Sequence, residues 1–570
     1  MTPTPNRAPV AGWTQSLLLG VLLALIYALN FRELGIGDTV PASQLPTAVL
    51  HGDGVFLDRF YPNPDALPNW VALKRGHVVS RYPLGTALFA LPFEAPQILV
   101  LDVFRPGWDR DPDTAIRFCT AMSKITSVVI GVLTALVLFS LLRRLGLGWL
   151  AWPATLAAAL GSDLWCVGSQ GLWQHGPAAL ALTVTMFLLL PEKPSPGRLF
   201  FAGLTTACLV CFRALDVVFA AAIFLAVAWR WPRGLMYFLP FPLLLGGLLL
   251  ASNWWFFGTV QGGQPELEAY NPGWHHVEGV WTGNLIDGAA GTLFSPSRGL
   301  FVFSPWALLA VLGLPAVWAR LRQWPVLLLL TVGLAVNLVA LSRYAVWWGG
   351  CSFGPRYWTD AMPIFAVLLG LGLSWAWQRC RPAFWGCAAA IVLSVTIQTI
   401  GAFCYPSSFN VSPNYVDVQH ERLWDWGDGE LARCLREGPH LPWQSAPPAP
   451  DAAVRQVLNA QVEAWNHGDL DAFMAGYWSA PDLTFYSGPD RTSGWQATLD
   501  RYRKRYQAEG KEMGQLTFSD VDVKMLGPDY ALVRGRWQLE LSTDKPGGLF
   551  TLIFRRLPEG WRIIHDHTSK

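Results

Sequence analysis

The side chains best suited to chemistry recur at one kind of place, the ends of long apolar runs. Asp38 follows the first run within "FRELGIGDTVPASQLPTAVLHGDG", with Glu33 before it and Asp53 after it. His77, Arg81 and Tyr82 lie in "GHVVSRYPLG", and "GSDLWCVGSQGLWQHGP" puts Asp163 and His175 at the ends of two further runs. Arg356 precedes another in "WWGGCSFGPRYWTDAMP". A carboxylate at such a boundary is costly unless it faces water, a metal or a partner charge. Held there, it can take a proton from a hydroxyl group, while a guanidinium grips phosphate through two parallel hydrogen bonds. Plainer roles exist for both. Asp-Thr-Val-Pro can open a helix with Asp38 as N-cap and Pro41 in its first turn. Arg356 can also simply reach towards lipid headgroups.

The elements that position these groups follow from composition. Of 570 residues, 52% are hydrophobic and only 14% charged, which excludes a disordered chain, and 30 Trp suit a membrane interface. A net charge of +2 gives no reason to expect nucleic acid. The one CxxC, Cys208 and Cys211, sits inside an apolar run with no second pair, so neither a zinc ribbon nor a redox site is indicated.

With about 20 apolar residues needed per crossing, the runs predict about eleven transmembrane helices within residues 1–403. Short connections bearing Arg143 and Arg144, Lys193 and Arg198, Arg230 and Arg233, Arg320 and Arg322, and Arg379 and Arg381 fall on the side of Arg7. By the positive-inside rule that side is cytoplasmic, and an odd span count puts the C-terminus outside. Arg213 is an exception that a local ion pair with Asp216 would explain. The run over 85–103 is predicted to lie in the interface, because Pro92, Glu94 and Pro96 break it. A large outer loop over 30–122 points to a cleft at the outer face.

Residues 404–450 read as an outer polar segment and a Pro-rich spacer. Cys404 and Cys434 share that oxidising side and are predicted to pair. From 451 to 570 the periodicity changes to a globular pattern. A helix carries Val454, Val457, Leu458, Val462 and Trp465 on one face, Gly468 ends it, and a second short helix follows. Strands alternating at period two come next, at "LTFYSG", "GQLTFSDVDVKMLG", "YALVRGRWQLEL", "GLFTLIFRRLP" and "GWRIIHDHTS", with a helix near Trp495 intervening. His565 and His567 can share one strand face and bind a ligand, or simply lie at the surface.

Two resemblances emerge from these motifs. An acid just after the first span, a "YPLG" box before a juxtamembrane helix and a "QH" opening the fourth span resemble the polytopic GT-C glycosyltransferases of the protein-mannosyltransferase and aminoarabinose-transferase group. The resemblance implies a polyprenyl-phosphate sugar donor, with Asp38 as the catalytic or metal-linked acid. His175 would be catalytic beside Asp38, and Asp163, Asp53, Tyr82, Arg81 and Arg356 would line the substrate site. The sequence demands no cofactor; a divalent cation or the arginines would meet the leaving phosphate. Here Thr39 stands where relatives carry Glu.

The tail, with "AWNHGDLDAFM" early and "GWRIIHDHTS" last, resembles the SnoaL-like, nuclear transport factor 2-like domains that include ketosteroid isomerases. That implies an α+β cone with a curved antiparallel sheet around an apolar pocket, lined by Trp465, Tyr477, Phe485, Trp495, Trp537, His565 and His567. A dimer through the tail is also implied. Three functions follow: lipid-linked sugar transfer to a glycan, lipid or protein acceptor; non-catalytic lipid or polysaccharide binding and export; or a SnoaL-like enzyme tethered to the bilayer.

Overall fold

A computed structural model describes residues 11–64, 67–190, 193–270, 280–405, 407–410, 416–417, 419–440, 450–488, 490–509, 511–526, 529–557 and 560–569. Arg7 and the Pro-rich stretch 441–449 lie outside the described residues. The described residues divide into two compact units, those through Asn410 with 416–440, and those from Pro450 onward.

The first unit is almost wholly helical, because uncharged apolar runs satisfy their backbone groups best within their own helices. Its helices are α1 (Ala11–Ala28), α2 (Thr39–Leu50), α3 (Gly85–Phe104), α4 (Pro112–Arg144), α5 (Ala151–Leu160), α6 (His175–Leu189) and α7 (Pro196–Phe212). There follow α8 (Val217–Arg230), α9 (Leu235–Phe238), α10 (Pro240–Phe257), α11 (Gln264–Tyr270) and α12 (Leu285–Phe294). The last are α13 (Leu300–Phe303), α14 (Pro305–Leu308), α15 (Leu314–Trp318), α16 (Pro325–Arg343), α17 (Met362–Arg379), α18 (Arg381–Cys404) and α19 (Glu430–Glu437). A small hairpin, β1 (Val71–Lys74) with β2 (His77–Ser80), sits in the loop after α2.

Helix ends carry their own signals. Asp111 caps α4 by accepting from the Thr114 N–H at 2.9 Å, Pro112 follows in the first turn, and Arg143 and Arg144 close the last turn against the helix dipole. Close approach of helices uses small residues. A Cβ on Gly203 would lie 2.0 Å from the Phe238 carbonyl oxygen, so α7 meets α9 only through a glycine there.

Among the described residues, six helices are long and apolar enough to cross a membrane, or seven if Ala214–Arg230 and Pro232–Phe238, bent by 120°, count as one. Several other expected runs give shorter apolar helices. Pro305 and Pro315 lie where the run over 300–318 divides into pieces, as missing N–H donors and ring clashes dictate. In the opposite sense, Pro92 and Pro96 do not break their run. The helix α3 passes through both, because the two prolines fall four residues apart on its exposed face while Glu94 and Ile98 are buried on the other.

The second unit is α+β. Its helix α20 (Pro450–Asn466) buries Val454, Leu458 and Trp465, Gly468 turns the chain at φ 78°, and Asp469 caps α21 (Leu470–Met474). The strands are β3 (Thr484–Ser487), β4 (Asp490–Ser493), β5 (Gln515–Met525), β6 (Tyr530–Glu540), β7 (Gly547–Leu557) and β8 (Gly560–Thr568), with α22 (Trp495–Tyr506) between β4 and β5. They form one sheet in the order β4-β3-β8-β7-β6-β5. The sheet is not wholly antiparallel: β3 enters before the meander begins and runs parallel to β8.

Candidate functional site

Asp38 does stand at the N-cap of α2, yet its side chain caps nothing. Its Oδ2 instead accepts from Arg356 Nη1 at 2.8 Å. The Arg356 guanidinium lies 5.0 Å from the centre of the Trp173 ring and 5.3 Å from that of Tyr357, and its Nε is buried without a hydrogen-bond partner. Cation–π contacts hold the planar group flat while leaving donor capacity unused. Tyr82 faces the same pair: burial, reinforced by the Asp38 charge, pushes its phenol well above the ordinary value.

Two hydrogen bonds to the backbone of Leu34 and Gln170 bring these groups together. The Leu34 N–H donates to the Gln170 carbonyl at 2.9 Å and Trp173 Nε1 to the Leu34 carbonyl at 3.1 Å, tying the segment before Asp38 to the one before His175. Lys124 of α4 fastens both from below. Its Nζ donates to the Tyr27 carbonyl at 3.0 Å and Gln170 Oε1 at 2.6 Å. The loop before Arg356 needs Gly354, whose φ is 65° and whose added Cβ would meet Asp163 Oδ1 at 2.9 Å. Glu430 accepts from the Gly354 N–H at 2.8 Å and pairs with buried Arg298 at 2.8 Å.

His175, 4% exposed, meets Asp360 Oδ1 through Nδ1 at 2.7 Å, and Arg213 pairs with the other Asp360 oxygen. Arg213 also lies 3.8 Å from Asp216, so the expected local pair is present but secondary. The Tyr357 ring lies 6.4 Å from the His175 ring and 5.1 Å from the Arg213 guanidinium. Asp38, Tyr82, His175 and Arg356 therefore share one neighbourhood.

Three other expected residues lie apart from that pair. Asp53 binds Arg59 in a separate cluster with His51, Asp102 and Asp109. Arg81 donates to the Asn69 carbonyl at 2.7 Å and faces Glu266 at 3.5 Å. Asp163 is sealed beneath Gly354, accepting from Gln398 Nε2 at 2.8 Å. Sequence reasoning missed Asp360 and Lys124; each is an ionisable group within or beside an apolar run, the signal that marked Asp38.

The expected Cys404–Cys434 disulfide is not formed. Both are free thiols on the packed helices α18 and α19, with Cys434 fully buried. Among the described residues no group of three or more His, Cys, Asp and Glu could hold a metal ion. Asp38 pairs with Arg356, so a guanidinium stands beside that carboxylate.

In the second unit a cavity of about 380 Å³ opens among Trp465, Tyr477, Phe485, Tyr502, Trp537 and Asp566. Trp495 is not among its lining; its Nε1 donates to the Met474 carbonyl at 2.9 Å. His565 and His567 are absent from the lining too and lie beside Tyr486. The cause is a β-bulge. Pairing slips between Ile553 and Phe554 of β7, leaving Ile564 as an extra residue in β8, which turns Asp566 inward and its two histidine neighbours away. Asp566, 3% exposed, accepts from the Tyr477 hydroxyl at 2.7 Å and the Thr568 hydroxyl at 2.7 Å. Burial pushes its carboxyl up to about 6.

Residues 454–570 match the SnoaL-like domain, and this C-terminal part of the chain belongs to that family. It is similar to an NTF2-like protein from Shewanella oneidensis at 40% identity, covering 21% of this chain and 100% of that one, with a TM-score of 0.21. An NTF2-like protein from Pseudomonas putida matches at 21% identity over 21% of this chain and 84% of that one, TM-score 0.18. A ketosteroid isomerase-like protein from Erwinia carotovora atroseptica matches at 18% identity over 22% and 97%, TM-score 0.18. No curated protein matches the chain.

Proposed function

We propose that this chain is an integral membrane glycosyltransferase of GT-C type that moves a sugar from a polyprenyl-phosphate donor to a glycan, lipid or protein acceptor at the outer face of the inner membrane. Its apolar runs cross the bilayer about eleven times, shorter helices included, with the N-terminus cytoplasmic and the C-terminal domain outside. The observation that carries the reading is the pairing of Arg356 with Asp38 at 2.8 Å beside His175 and Tyr82. A guanidinium with an unused buried Nε–H suits a lipid phosphate, and the site offers two proton acceptors for an attacking hydroxyl, Asp38 and His175.

No nucleotide is required, because the lipid carries the activated sugar. The SnoaL-like domain serves as an accessory module and a dimer contact. Its cavity, aromatic-walled with one buried carboxyl, fits a small apolar ligand bearing one polar group. Deleting the chain from its host and profiling glycolipids and surface glycans tests the proposal: one glycosylated species should disappear while its unglycosylated precursor accumulates. An unchanged profile would favour a binding or export role.

A further inference from the structure

Asp38 is the residue that the family resemblance nominates as base, but its carboxylate is occupied by Arg356. The second proton acceptor is arranged differently. His175 presents Nδ1 to Asp360, Asp360 is held in turn by Arg213, and Arg213 rests on the Tyr357 ring and donates to the Tyr357 carbonyl at 3.4 Å. When a carboxylate accepts from Nδ1–H, the ring's lone pair is on Nε2. No described residue hydrogen-bonds that nitrogen. The arrangement is that of a base with an orienting acid behind it.

The Asp360 carboxylate against Nδ1 supports a proton on the imidazole, with the Arg213 guanidinium behind it opposing. Arg213 faces both Asp360 and Asp216, and Asp216 is buried with neither oxygen hydrogen-bonded. The adjacent Asp38–Arg356 pair is already balanced. Tyr357 and Trp173 are the other groups facing His175, and neither carries charge.

Resting on the sugar-transfer reading above, we propose that His175, oriented by Asp360 and Arg213, is the base of this site, and that Asp38 serves to hold Arg356 for the donor phosphate. The acceptor hydroxyl oxygen forms a bond to the anomeric carbon, and its proton passes to His175 Nε2. The bond from the anomeric carbon to the phosphate oxygen breaks, and the electron pair leaves with that oxygen to meet Arg356. His175 is then the catalytic residue, and Asp360 and Arg213 are positioning residues.

The test uses the full chain in proteoliposomes supplied with polyprenyl-phosphate glucose, mannose and arabinose and a lipid extract of the host as acceptor, reading release of polyprenyl phosphate. His175→Ala should lower kcat by about 10²–10⁴-fold with donor KM within about threefold, and added imidazole should restore activity at least about tenfold. Asp360→Asn, which can offer its NH₂ to Nδ1 and force the wrong tautomer, should fall comparably without rescue. Retained kcat in His175→Ala, or a loss that imidazole leaves untouched while the protein stays monodisperse, overturns the assignment. So does imidazole rescue of Asp38→Asn in place of His175→Ala. A parent chain that releases no polyprenyl phosphate from any donor overturns the sugar-transfer reading and the base with it, an outcome distinct from loss of the base alone.

Discussion

Asp566→Asn in the SnoaL-like domain should invert part of that domain's pH dependence. The carboxyl is buried against Tyr477 and Thr568, and burial pushes it up to about 6, against about 3.9 for Asp in an unfolded chain. Because the folded value is raised, the stabilising contribution is fully present below the unfolded value and is lost as pH rises through about 6. A shift of about two pH units at 1.36 kcal/mol each amounts to about 3 kcal/mol between pH 4 and pH 7. Asn carries no charge to desolvate but offers one acceptor oxygen where the carboxyl offers two, which costs about 1 kcal/mol. The variant should therefore be about 2 kcal/mol more stable than the parent at pH 7 and about 1 kcal/mol less stable at pH 4. Residues 451–570, with their own helices, sheet and core, are expected to unfold cooperatively when expressed alone. Urea denaturation followed by circular dichroism at each pH gives the difference directly, and all other titrating groups cancel in it. A parent-minus-variant difference that stays flat from pH 4 to pH 7 would refute the buried-carboxyl argument.

Other consequences concern the helical unit and the tail. Arg356→Ala should raise the donor KM by about 10- to 100-fold with a smaller change in kcat, since a charge-assisted phosphate contact is worth about 1.5–3 kcal/mol; donor titration in proteoliposomes reads it. A reporter active only in the cytoplasm should be silent when fused after Lys570 and active when fused before Met1, and strong activity at the C-terminal fusion would contradict the topology. Alkylation of denatured, unreduced protein should label both Cys404 and Cys434, whereas labelling only after reduction would show a bond between them.

Much of the tail was legible because its signals are local. Period-two alternation, Gly468 and the helical face of Val454, Leu458 and Trp465 each act within a few residues. The lining of its cavity was not, because the bulge at Ile564 shifts the alternation by one and only cross-strand pairing reveals it. That single residue moved the inward role from His565 and His567 to Asp566.

In the helical unit the types of the site residues were readable and their partners were not. Asp38 and Arg356 are 318 residues apart, and nothing local distinguishes that pairing from Asp53 with Arg59, which are six apart. Arg213 was visible beside Asp216, yet its main partner, Asp360, comes from the turn just before α17. The prolines of α3 misled for a related reason. Whether Pro92 and Pro96 end a helix depends on which face they occupy, and burial decides that face.

The central claim meets its most direct test in one reaction: purified chain in proteoliposomes, polyprenyl-phosphate sugars labelled in the sugar, and host lipid and glycan extracts as acceptors. The account expects label to move from the lipid donor into an acceptor with equimolar release of polyprenyl phosphate, and transfer to weaken in Arg356→Ala. Intact, monodisperse protein that moves no label from any lipid-linked sugar would contradict it.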